Sequence, residues 1–82
     1  MEMYFENSSK QKKKLIKTDY IEDIYDVMED FFEEHKRRPH LLKMKMERNI
    51  LRISFETGCE GFVVDGIEES QIQELKDMLA GE

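Results

Sequence analysis

The chain has 82 residues, which is enough for one small domain and too few for two. Charged residues make up 39% of the sequence, and it lacks both an apolar run of about 18 residues and an apolar N-terminal stretch, which disfavours membrane spanning and secretion. The one cysteine cannot form a disulfide framework within the chain, so we expect a small cytoplasmic protein.

The formal net charge of −6 conceals four blocks of alternating sign. Residues 1–17 carry +3, residues 18–35 carry −8, residues 36–52 carry +6 and residues 53–82 carry −7. Because these blocks fall on separate stretches of the chain, we expect a surface with distinct acidic and basic regions.

The N-terminal stretch is polar and basic, with all five of its lysines between residues 10 and 17. We expect a flexible basic arm over residues 1–17 that contains at most a short edge strand at residues 3–5. A single α+β domain is predicted to follow over residues 18–80.

Residues 19–35 have the pattern of an amphipathic helix with Thr18 or Asp19 as its N-cap. The apolar side chains, Tyr20 among them, fall within about 100° of Ile24 around the helix axis. Eight acids fall on the opposite side with no Lys or Arg among them: Asp19, Glu22, Asp23, Asp26, Glu29, Asp30, Glu33 and Glu34. Five like-charge pairs at i,i+4 would cost this helix about 1–2.5 kcal/mol at low salt.

Residues 42–47 and 51–56 each alternate apolar and polar side chains, which predicts two half-buried strands. A tight turn at residues 48–49 pairs residues whose numbers sum to 97, which brings together Leu42 and Phe55, Met44 and Ile53, and Met46 and Leu51. This register places every apolar side chain on one face. Lys43, Lys45 and Arg52 then lie on the other face.

Phe62-Val63-Val64 predicts a third strand whose facing depends on the preceding loop. A loop of four residues points Phe62 and Val64 inward, and a loop of five points Val63 inward. A second amphipathic helix follows from Ile67, with Ser70 and Gln73 as a capping box. The order (β)-α-β-β-β-α predicts a two-layer α+β sandwich, in which a three-stranded antiparallel meander carries both helices on one face.

Patterns typical of catalysis and metal binding are weak in this sequence. It contains no Gly-rich phosphate loop and no nucleophile elbow. His35 and His40 flank Pro39, which breaks the helix and separates them, and acids near Cys59 disfavour a reactive thiolate. We therefore expect no catalytic residue, metal site or cofactor.

Three hypotheses about function follow from the charge pattern. The first is a non-enzymatic regulatory or inhibitory module that docks the eight acids of the first helix on a basic partner protein. The second is a weak, sequence-nonspecific nucleic-acid-binding module that uses Lys12, Lys13, Lys14, Lys43, Lys45 and Arg52. The third is a self-associating module, such as a homodimer, that pairs acidic with basic faces or buries Phe62 and Val64.

Overall fold

The computed structural model describes residues 1–34, 43–55 and 60–81. Its elements in chain order are β1 (Glu2–Glu6), β2 (Lys12–Lys17), α1 (Ile21–Glu34), β3 (Lys43–Glu47), β4 (Ile50–Ser54), β5 (Gly61–Asp65) and α2 (Glu69–Ala80). Both helices and one face of the sheet contribute to a single buried cluster, so the helices lie on that face. The predicted α+β class is confirmed. In the described residues, no helix has the length and apolar character needed to cross a membrane.

Within the described ranges, the sheet has five antiparallel strands in the order β2-β1-β5-β4-β3. The predicted meander is present as the neighbours β3, β4 and β5. The N-terminal hairpin extends it, because β1 pairs with β5 along its other edge. We call the sheet face that points away from the helices the open face.

The flexible basic arm expected over residues 1–17 is replaced in the structure by the β1–β2 hairpin. β1 is an inner strand rather than an edge strand, since it lies between β2 and β5. Met3 is fully buried, at 0% exposure, in the cluster that the helices cover. The first strand therefore supplies part of the core.

β2 is hard to recognise in the sequence because it is an edge strand with an interrupted period. Its register with β1 shifts between Met3 and Tyr4, and only Leu15 and Ile16 of this strand are half-buried. Its lysines stay exposed, as is common on edge strands that must not pair with other chains.

Hydrogen bonds hold the turn and the ends of this hairpin. The side-chain oxygen of Asn7 accepts from the backbone N–H of Ser9 at 2.9 Å and of Gln11 at 3.0 Å. At the other end, the ammonium group of Met1 donates to the carbonyl of Thr18 at 2.7 Å, and the Thr18 N–H donates to the Met1 carbonyl at 2.9 Å. Backbone pairing therefore fixes both ends of a hairpin whose apolar side chains also pack on the core.

The β3–β4 hairpin has the predicted register, with each described pair of residue numbers summing to 97. Arg48 and Asn49 form its two-residue turn with φ of 49° and 62°. Two successive positive φ angles match the twist of a tight antiparallel hairpin. The predicted Leu42–Phe55 pair lies outside the described residues, as do His35, His40 and Cys59.

The facing of β5 follows from the loop that precedes it. The Phe55 N–H donates to the Glu60 carbonyl at 3.0 Å, and the pairing continues with Ser54 opposite Gly61 and Ile53 opposite Phe62, as the loop of four residues requires. Phe62 and Val64 therefore point toward the helices, with exposures of 1% and 0%. Val63 points to the open face and is still only 6% exposed, because β1 and β4 flank it.

All five phenylalanines of the chain form one aromatic cluster. Phe31 of α1 lies 4.8 Å from Phe5 and 5.1 Å from Phe62 between ring centroids. Phe32 packs edge-on against Phe55 at 6.1 Å and Phe62 at 6.2 Å. The cluster fixes which side of α1 faces the sheet, and hence which side faces solvent.

α2 begins two residues earlier than its predicted capping box implied. Gln71, rather than Gln73, accepts a hydrogen bond from the backbone N–H of Glu68 at 3.0 Å. Ile72 and Leu75 face the core, as the predicted amphipathic pattern requires.

Candidate functional site

The acidic surface of α1 comprises the eight predicted carboxylates on and before this helix. Seven of them are exposed: Asp19, Glu22, Asp26, Glu29, Asp30, Glu33 and Glu34. The aromatic cluster turns the opposite side of the helix to the sheet. No Lys or Arg occurs from residue 18 to residue 34, so the helix itself contributes charge of only one sign to this surface.

Asp23 differs from the other members of the acidic surface because it belongs to the start of the helix. It is half-buried, and its carboxylate accepts a hydrogen bond from the Thr18 hydroxyl. The Thr18 hydroxyl oxygen in turn accepts from the Tyr20 N–H at 3.1 Å. Asp23 therefore has a structural role at the N-terminus of α1 as well as a charge.

Tyr20 was predicted to join the apolar side of the helix, but the structure places it in solvent. It is 68% exposed and is the one large hydrophobic side chain in the described residues with such exposure. The reason is that α1 begins at Ile21, so the helical period does not extend to Tyr20. An aromatic side chain thus lies beside Asp19 at the beginning of the acidic surface.

The second helix continues the acidic character of this layer. α2 exposes Glu69, Glu74 and Asp77, with Lys76 as its one base. Residues 18–34 and 66–81 together carry twelve acids and one lysine. Because α1 and α2 pack against each other, the helical layer as a whole is acidic.

The predicted basic site does not assemble into one surface. Lys12 and Lys14 lie on the open face at β2, whereas Lys43 and Lys45 lie on that face at β3. These strands are the two edges of the sheet, about 19 Å apart at the usual strand spacing. Lys13 pairs with Phe5 and so belongs to the opposite face.

Acids of β1 further weaken the basic character of the open face. Lys14 lies 3.5 Å from Glu2, Lys12 lies 4.0 Å from Glu6, and Arg52 lies 3.7 Å from the same Glu6 carboxylate. Three of the six predicted phosphate-binding residues therefore already face a carboxylate of their own chain. These acids were missed because β1 was expected to be at most an edge strand.

Tyr4 lies on the open face at the centre of β1 and is hydrogen-bonded to one of these acids. Its hydroxyl donates a hydrogen bond of 2.6 Å to Glu2. That hydrogen bond, with the positive charge of Lys14, lowers the pKa of Glu2 below its ordinary value. The same contact raises the pKa of Tyr4, because the phenolate would lose its hydrogen bond and meet a carboxylate.

The facing of the side chains on β1 and β5 also bears on the two alternative hypotheses. Phe62, which could have stacked with bases only if the preceding loop had turned it to the open sheet face, points into the core. Burial of Phe62 and Val64 also means that these side chains cannot form a dimer surface. On the open face the aromatic side chain is Tyr4, which the strand alternation of Met3-Tyr4-Phe5 would have revealed.

Comparisons with protein-family models, with curated proteins and with solved structures find no match to this chain. The function proposed for the protein therefore rests on the geometry and the charges of its own residues.

Proposed function

We propose that this protein is a small non-enzymatic regulatory or inhibitory module that docks the acidic surface of α1 on a basic partner protein. The observation that carries the proposal is the row of exposed carboxylates with no base among them. Solubility is ordinarily served by interspersed charges of both signs, which avoid repulsion within one helix. A cationic partner would relieve that repulsion on binding.

The spacing of the carboxylates favours a particular kind of partner. From Glu22 to Glu34, α1 carries seven acids, and this span measures about 18 Å along the helix axis. The density is about one negative charge per 3 Å, close to the value of about 3.4 Å per phosphate along one strand of DNA. We therefore favour a basic groove that otherwise holds a nucleic-acid strand, which α1 would occupy as an inhibitor.

Tyr20 supports a protein partner rather than a diffuse cloud of counterions. Tyrosine is enriched among the residues that dominate binding energy at protein interfaces, because it buries a large area with little loss of side-chain freedom. Its 68% exposure leaves that area available beside the acids. An exposed aromatic next to a charged row provides both an anchor and a steering field.

The open face supports nucleic-acid binding less well. Its lysines lie at two separate edges of the sheet, and ion pairs with Glu2 and Glu6 engage three of its bases, Lys12, Lys14 and Arg52. The net charge of −6 also repels a polyanion. We therefore prefer docking on a basic protein in the cytoplasm to nucleic-acid binding by the open face.

The proposal is tested by capturing partners from the native cell with two matched variants. One variant reverses Asp26, Asp30 and Glu33 of α1 to lysine. The control reverses Glu69, Glu74 and Asp77 of α2, which are also exposed and change the net charge by the same amount. Circular dichroism confirms that both variants are folded.

We expect the wild-type protein and the α2 variant to retain the same basic protein after nuclease treatment, and the α1 variant to lose it. Addition of a single-stranded oligonucleotide should release the captured protein if it uses a nucleic-acid groove. Retention by the α1 variant would refute docking through this helix. Loss of all capture after nuclease treatment would instead indicate that nucleic acid bridges the two proteins.

A further inference from the structure

The two edges of the sheet differ in their capacity to pair with another strand. β2 pairs only with β1, and β3 pairs only with β4, so within residues 1–34, 43–55 and 60–81 the outer side of each has no strand partner. An unpaired edge presents backbone N–H and C=O groups that a further strand can bind.

β2 is poorly suited to such pairing. It carries four exposed lysines within the six residues Lys12–Lys17, and its register with β1 is interrupted at Leu15. A second copy of β2 would bring lysines opposite or diagonal to lysines. Edge lysines and irregular register are the features by which proteins prevent edge-to-edge association.

β3 has a regular register and side chains that complement their own copy. The two-residue turn makes Glu47 and Ile50 a hydrogen-bonded pair, so the N–H groups of Met44 and Met46 point away from β4. Antiparallel pairing of β3 with itself, centred on Lys45, brings Met44 of one copy opposite Met46 of the other. The outward-pointing backbone groups of both strands then meet each other, as an antiparallel ladder requires.

The same register places charges favourably. Lys43 of each copy lies opposite Glu47 of the other on the open face, and one Lys45–Lys45 contact remains at the centre. Two opposite-charge pairs outweigh one like-charge pair. On the helical face, the half-buried Met44 and Met46 of one copy then lie beside those of the other copy, so the apolar surface continues across the junction.

We propose that two copies of this chain associate through the outer edge of β3 to form a continuous ten-stranded sheet. The two-fold axis is perpendicular to the sheet, so the helices of both copies lie on the same side. The dimer thus presents two acidic α1 surfaces in one direction. This inference uses β3 alone and does not depend on the proposed function of α1.

The experiment is sedimentation equilibrium from micromolar to millimolar protein. We expect the mass to rise with concentration from 9.9 kDa toward twice that value. Glu47→Lys and Lys43→Glu should each weaken the dimer about tenfold or more, because two Lys–Glu pairs become like-charge pairs. The double variant K43E/E47K should restore it. Lys13→Glu, which makes the same change of charge on β2, serves as the control.

A second measurement does not depend on any variant. Amide hydrogen exchange of the wild-type chain should show that Met44 and Met46 gain protection as the concentration rises, while β2 amides do not. A monomer at millimolar concentration would overturn the proposal. A dimer that the single reversals leave unchanged, or that the double variant fails to restore, would also overturn it.

Discussion

Removing charge from α1 should stabilise the protein, although it removes no apolar contact. Four like-charge i,i+4 pairs lie within the helix: Glu22/Asp26, Asp26/Asp30, Glu29/Glu33 and Asp30/Glu34. A fifth pair predicted from the sequence, Asp19/Asp23, does not count, because Asp19 precedes the helix and Asp23 binds Thr18. At about 0.2–0.5 kcal/mol each, the four pairs cost about 0.8–2 kcal/mol at low salt.

The double variant D26N/D30N removes three of these four pairs. Asparagine matches aspartate in shape and in helix propensity, so the change isolates the charge. We expect the free energy of unfolding to rise by about 0.6–1.5 kcal/mol at low ionic strength. In about 1 M salt the gain should largely disappear, because the Debye length falls to about 3 Å.

Urea unfolding followed by circular dichroism, at about 0.01 M and about 1 M salt, measures both values. The control is E74Q in α2, which removes a single exposed acid from a helix that also carries Lys76. It should change stability by no more than about 0.5 kcal/mol. A D26N/D30N variant that is less stable than wild type at low salt would refute the idea that the acidic surface is under strain.

Three further predictions concern the sheet. Gly61→Ala should destabilise the protein by about 1–3 kcal/mol in urea unfolding, because a Cβ there would lie 2.1 Å from the Ile53 carbonyl oxygen. Unchanged stability would contradict this close approach. Phe62→Ala should lower the free energy of unfolding by about 3–5 kcal/mol in the same assay, because the ring is fully buried among four other phenylalanine rings. A loss below about 1 kcal/mol would contradict the central position of Phe62 in the cluster. Tyr4→Phe should raise the pKa of Glu2 toward its ordinary value, which carboxyl NMR titration measures. Because the pKa of Glu2 is lowered in the folded state, its contribution to stability is present above the unfolded pKa. That contribution fades as the pH falls through the folded-state pKa. An unshifted Glu2 titration in that variant would remove the hydrogen bond as the main cause.

Local patterns predicted the central part of the fold. The β3–β4 register followed from one requirement, that Met44, Met46, Leu51 and Ile53 share a face, and a two-residue turn satisfies it. The facing of β5 remained open because two loop lengths were equally compatible with the residues. A single backbone hydrogen bond, from Phe55 to Glu60, decides between them.

The N-terminal hairpin was not predicted because its information is non-local. A strand of the composition Lys-Lys-Lys-Leu-Ile-Lys resembles a solvated arm until a partner strand is known. Its partner, β1, was expected at most as a short edge strand, because the pairing that makes it an inner strand is with β5, far along the chain. Because β1 was not predicted to lie inside the sheet, Glu2 and Glu6 were not expected on the open face. That face was therefore expected to be more basic than it is.

The acidic surface of α1 was predicted with its residues because helical periodicity alone separates the two sides. What the period does not reveal is where the helix begins. That boundary moves Tyr20 into solvent and gives Asp23 a hydrogen-bonding role. Both differences lie at the N-terminus of the helix, where side-chain hydrogen bonds compete with the helical pattern.

The central claim, that α1 is a docking surface rather than a merely charged one, is tested most directly by titrating the captured partner against three proteins. These are the wild type, the triple reversal of Asp26, Asp30 and Glu33, and the charge-matched reversal in α2. We predict that the α1 reversal weakens binding by at least about 100-fold, while the α2 reversal changes it by less than about tenfold. Equal losses in the two variants would contradict the claim, because the partner would then respond to net charge and not to a particular helix.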